Sequence, residues 1–75
     1  MVLINVAKTG ERIHTLMKDR GISPNDIKRA CGLTTTNVIY KWVHGKHLPS
    51  IENMVEVARL LGVTVDEILV LEERA

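Results

Sequence analysis

Apolar residues in this chain recur at intervals of three and four in five short groups, and glycines punctuate them. Ile13, Leu16 and Met17 form one inward stripe that ends at Gly21, a residue able to take the left-handed conformation that closes a helix. Asn5 or Thr9 can cap this helix, and Gly10 lies at or just inside its start, where it weakens a helix unless another backbone packs close. Ser23-Pro24 reads as a cap followed by a first helical residue, with Asp26 at the positive end and Ile27, Ala30 and Cys31 as the buried stripe before Gly32. Among the hydroxyls of Thr34, Thr35 and Thr36, Thr35 is the expected cap of a third helix. That choice puts Ile39, Trp42 and Val43 on one inward face, with Gly45 closing the helix.

After the loop Lys46-His47-Leu48, Ser50 caps a fourth helix in which Ile51, Met54, Val55, Ala58 and Leu61 follow the helical period up to Gly62. Thr64 with Glu67 three residues on is a capping box, and it predicts a fifth helix that turns Val65, Ile68 and Leu69 toward the core. No alternating run predicts a strand, there is no internal repeat, and only the ends read as loose. The expected architecture is all-α, a compact five-helix bundle over residues 1–75 with a C-terminal tail at 70–75.

Seventy-five residues suffice for one domain, and a core of this size buries roughly 60% of the surface of the unfolded chain, so stability is modest. A 45% hydrophobic content is too apolar for a disordered chain. The lone Cys31 cannot form an internal disulfide, and no N-terminal stretch pairs a basic start with the apolar run of a signal peptide, so a cytoplasmic location is expected. Apolar runs of a few residues fall far short of the roughly 20 that cross a bilayer, so no membrane partner is expected.

The net charge of +1 conceals an asymmetry. Up to Pro49 there are eight basic residues against three acidic ones, a balance of +5; beyond it, Arg59 and Arg74 face six acidic residues, a balance of −4. The positive field therefore belongs to the part that contains the third helix.

Gly21-Ile22-Ser23, Ile27, Ala30, Gly32-Leu33, Ile39, Trp42, Gly45, Leu48-Pro49-Ser50, Asn53-Met54, Ala58, Leu61-Gly62-Val63-Thr64 and Asp66-Glu67-Ile68-Leu69 occur in an order that resembles the Cro/C1-type helix-turn-helix domain of bacterial and phage repressors. The resemblance runs over residues 10–69. It implies a sequence-specific transcriptional regulator, expected to be a repressor like those that carry this domain, that reads two-fold symmetric double-stranded DNA as a homodimer. Family members often carry a phosphate-binding glutamine at the start of the second helix, where this chain has Pro24, so that contact is not expected here. The turn is also one residue longer than the commonest form, and positions are therefore counted back from Trp42.

Specificity requires donors and acceptors on the first turns of a helix laid into the major groove, and affinity comes mainly from phosphate neutralisation. Thr36, Asn37, Tyr40 and Lys41, on the predicted reading helix 36–44, are the candidate base contacts; the ring of Tyr40 can alternatively cover the core. Asn37 suits an adenine edge and Lys41 guanine acceptors or a phosphate. Ser23, Thr35, Lys46, His47 and Asn53 are the candidate phosphate contacts, Lys28 being weaker, and local capping is the competing role for Asn53. Trp42 belongs to the core.

Cys31, His44 and His47 provide three potential zinc ligands without the fourth ligand and paired cysteines that structural zinc requires. With no Gly-rich phosphate loop and no acid partner for the histidines, neither catalysis, a cofactor nor a small-molecule substrate is expected. The competing function is a protein-interaction module on the same fold, docking through the acidic C-terminal part with Val70 and Leu71. Those residues serve homodimerisation equally well.

Overall fold

In a computed structural model that describes residues 1–73, the chain runs β1 (Val2–Ile4), α1 (Val6–Arg20), α2 (Pro24–Cys31), α3 (Asn37–Val43), α4 (Ile51–Leu61), α5 (Val65–Ile68) and β2 (Leu71–Glu73). The five predicted helices are present, and their caps explain where they start. Asn5 Oδ1 accepts from the Lys8 amide at 2.9 Å, Ser50 Oγ from Asn53 N at 3.2 Å, and Thr64 with Glu67 forms the expected reciprocal box. Ser23 and Asp26 form a second such box at α2. Each satisfies backbone donors that the first helical turn leaves without partners.

Two elements depart from the sequence reading. The ends pair as an antiparallel ribbon in the register Val2↔Glu73, Leu3↔Glu72 and Ile4↔Leu71, where no strand was expected. Its anchor is Thr9, which is fully buried: Thr9 Oγ1 accepts from Val70 N at 3.0 Å while Asn5 N donates to Val70 O at 2.8 Å. Thr9 thus ties the C-terminal segment to α1, and Asn5 is the cap. Of the predicted tail at 70–75, Arg74 and Ala75 lie outside the described residues.

Ile13, Leu16, Met17, Ile27, Ile39, Trp42, Met54, Val57, Ala58, Leu61 and Ile68 form the core. Ala30 is exposed rather than inward, and Cys31 only half-buried. The inward stripe of α4 consists of Met54, Val57, Ala58 and Leu61. Ile51 and Val55 are displaced to an exposed flank, Ile51 being 84% accessible, because the stripe is centred closer to Val57 than the expected set implied.

The contact that orients α3 is made by two glycines. A Cβ on Gly10 would strike the carbonyl oxygen of Trp42 and lie 3.1 Å from that of Val43; Gly45, at φ 72°, has Ala7 Cα 2.8 Å from where its own Cβ would be. The first turns of α1 therefore rest backbone to backbone on the last turn of α3. Gly10→Ala removes a helix-interior penalty of about 0.5–1 kcal/mol, but it drives a methyl into immovable main chain, and overpacking costs about 1–3 kcal/mol. The expected net result is a loss of stability, measured as a lower midpoint in urea; an unchanged or raised midpoint would refute the contact.

Candidate nucleic-acid interface

α3 is held by Ile39, fully buried, and Trp42, 2% exposed, with Val38 and Val43 packed beside them. At 100° per residue, Asn37, Tyr40, Lys41 and His44 then share the opposite face, an arc of about 100°. All four are exposed. Tyr40 is 48% accessible and stacks on His44 with ring centroids 6.3 Å apart, so it belongs to the outward face rather than to the core.

His44 shares this face but is not among the base contacts expected from the sequence. Its spacing from Tyr40 (i+4), Lys41 (i+3) and Asn37 (i+7) was the available signal. As a zinc ligand it has no set to join, since among the described residues no three metal-ligating side chains gather. Cys31 lies on α2 with its Sγ 3.9 Å from the Asn53 carbonyl oxygen, and burial, with a smaller contribution from Glu56, raises its thiol pKa above the ordinary value.

Thr36, half-buried, occupies the cap position of α3 and makes no side-chain cap bond; its carbonyl accepts from Ile39 N at 3.1 Å and Tyr40 N at 3.3 Å. The capping oxygen comes from Thr35, whose Oγ1 accepts from Asn37 N at 3.3 Å. The two threonines divide the role expected of Thr35 alone, and the regular helix is 37–43 rather than 36–44.

The expected phosphate contacts fall on four segments. Ser23 and Thr35 are exposed before α2 and α3, and Lys46 and His47 are exposed in the loop after α3, where His47 Nδ1 is 3.4 Å from Leu48 O. Asn53, half-buried in the first turn of α4, borders a depression that also holds Glu52 and Glu56, acidic neighbours for an anion. The basic residues divide likewise. Arg29 pairs with Asp26 at 2.7 Å and Arg12 Nε donates to the Glu67 carbonyl at 2.6 Å, whereas among the described residues Lys18, Lys41 and Lys46 make no ion pair.

Two helices joined by the turn 32–36, the second buried on one side and polar on the other, define a DNA-binding helix-turn-helix. The helix-turn-helix family model matches residues 13–68, and the chain belongs to the Cro/C1-type helix-turn-helix family of DNA-binding transcriptional regulators. Its fold is similar to that of the restriction-modification controller protein C.AhdI from Aeromonas hydrophila. The TM-score is 0.74 at 22% identity, over 84% of this chain and 94% of that one, a likeness of fold. No curated protein matches the chain. No helix among the described residues is long and apolar enough to cross a membrane.

The capping boxes that set α2 and α5 make stability sensitive to acid. Hydrogen bonds from Ser23, with the charge of Arg29 adding less, hold the Asp26 pKa below its ordinary value; those from Thr64 do the same for Glu67, helped by Arg12 and Arg20. Carboxylates depressed in the folded state stabilise it fully above their unfolded values, and that contribution is lost as pH falls through the lower folded ones. The melting temperature should therefore drop as pH falls below the ordinary carboxylate range, and Asp26→Asn should melt lower at neutral pH with a smaller acid drop. A melting curve series for Asp26→Asn that parallels the parent at every pH would count against this.

Proposed function

We propose that this protein is a transcriptional repressor that binds a two-fold symmetric operator as a homodimer and lays α3 in the major groove of each half-site. One observation carries the reading: Ile39 and Trp42 fix α3 from behind while Asn37, Tyr40 and Lys41 are exposed on its other side. Asn37, in the first helical turn, serves as the amide that pairs with adenine, Lys41 as a donor to guanine or phosphate, and Thr36 and Tyr40 as flanking base contacts. Ser23, Thr35, Lys46 and His47 bind the phosphates on either side, whereas Asn53, beside Glu52 and Glu56 and with its amide donating to Ser50 Oγ, is left to the capping role. Lys46 supports that role best, being exposed, cationic and without an acidic partner among the described residues.

A second copy is the occupant we assign to the apolar face beside α4. Ile4, Ile51 and Val55 border a cleft of about 170 Å³ whose remaining lining, including Leu48, Val65 and Leu69, is also apolar. Exposed Leu71 pairs with Ile4 across the ribbon and extends the face. An uncharged patch meets its own two-fold copy without like-charge repulsion, and one seven-residue α3 reads too few base pairs alone. Val70 is half-buried and engaged with α1, so this reading uses Leu71 and the α4 flank in its place.

Selection of bound sequences from a random duplex pool at moderate salt should recover a symmetric site. Asn37→Ala should then relax preference at one position per half-site by about 1–3 kcal/mol, while Lys46→Ala weakens binding to all sequences alike. Equal, sequence-independent losses from both would refute the assigned roles. Ile51→Asp should weaken self-association in sedimentation equilibrium by about 2 kcal/mol or more without lowering the melting temperature of dilute protein. A parent protein that stays monomeric on its operator at saturation would refute the dimer.

A further inference from the structure

We infer that the groove between α1, the start of α2 and α3 receives a sugar-phosphate segment of the DNA strand bordering the bases that α3 reads, with Lys18 as its principal charge. The inference rests on the function proposed above and adds a contact surface on α1. The groove encloses about 590 Å³; His14, Lys18, Ser23, Tyr40 and His44 line it together with apolar residues that include Ile22 and Val43.

Continuity is the first argument. Tyr40 and His44 belong both to the outward stripe of α3 and to the groove wall, so a duplex seated on that stripe brings one of its flanking backbones against the groove. Chemistry is the second. A sugar-phosphate chain presents an anion beside an apolar sugar, and this lining combines an ammonium, ring and hydroxyl donors and apolar residues without a single carboxylate. The depression between α2 and α4 holds Glu52 and Glu56, and the cleft under Ile51 is lined by apolar residues alone, so neither suits an anion.

The start of α2 does not supply the attraction by itself. The Asp26 carboxylate accepts from Ser23 N at 2.8 Å, and Ser23 Oγ accepts from Asp26 N at 3.2 Å, which places a negative charge at the helix end and leaves Ser23 its hydroxyl hydrogen to donate. Arg29 is bound to that same carboxylate. Lys18, exposed and in no ion pair among the described residues, is the cation left to neutralise a phosphate there.

The test measures binding of the full chain to its selected operator as a function of salt, with duplexes in which single flanking phosphates are replaced by uncharged methylphosphonates. Lys18→Gln should lower the slope of log affinity against log salt by about 0.9, so that a fourfold rise in salt costs it roughly 3.5-fold less affinity than the parent. It should also lose the parent's sensitivity to one flanking methylphosphonate. Lys8→Gln, the same charge change in the first turn of α1 and outside the groove, should keep the parental slope. A parental slope in Lys18→Gln, or an equal drop in both variants, overturns the groove contact while leaving the DNA-binding reading intact. Absence of salt-dependent duplex binding by the parent overturns both.

Discussion

The orientation of α3 depends on a main-chain contact that only glycine permits. Two helical turns do not hold together in water by their own hydrogen bonds, so α3 exists because Ile39 and Trp42 are buried, and it points where it does because α1 presses on its last turn. Gly10 contributes by what it lacks. With no Cβ it admits the carbonyls of Trp42 and Val43, and Gly45 returns the favour to Ala7. A flexible glycine inside a 15-residue helix is the cost of that approach, offset by burial of the Trp42 side chain nearby.

Charge follows the same division between holding the fold and facing outward. Arg12 and Arg29 lie in the basic part of the chain but serve acceptors within the protein, the Glu67 carbonyl and the Asp26 carboxylate. The lysines nearest α3 do not. Lys41 lies on α3, Lys46 in the loop after it and Lys18 on the groove it borders, and the exposed face of α3 carries no acid, while Glu52 and Glu56 stand on α4. A formal charge of +1 is therefore a poor guide to the field around α3, because formal charge sums groups that face different surroundings.

Helix starts were legible because capping is short-range: Ser23, Ser50 and Thr64 each act on an amide three residues away, within reach of sequence inspection. Trp42 fixed the frame of α3 for the same reason. The ribbon was not legible, since three-residue strands at opposite ends of the chain carry no periodic signal and their pairing is set by Thr9 and Asn5 on α1. Ile51 and Val55 were misassigned because α4 is apolar on more than its core stripe, and periodicity cannot tell a buried stripe from an apolar flank. Asn37, Tyr40 and Lys41 were legible as exposed positions of α3, whereas Thr36 is half-buried at its cap; the groove at Lys18 was not legible, because it joins three elements whose packing no local pattern encodes.

The first two turns of α1 carry more than the position of α3. Gly10 meets α3, and Asn5 with Thr9 grips Val70, the residue just before β2. Ile4 and Leu71, on the ribbon, border the apolar face assigned to a second copy. α3 and the ribbon that edges this apolar face are thus both held by one segment of six residues, 5–10. If two copies meet across that face, the distance between their α3 helices is set by α1 packing and not by a flexible linker. It must then match half-sites about 34–36 Å apart, one helical turn of DNA. Loosening at Gly10 would therefore disturb operator spacing as well as stability, since the same contact transmits both.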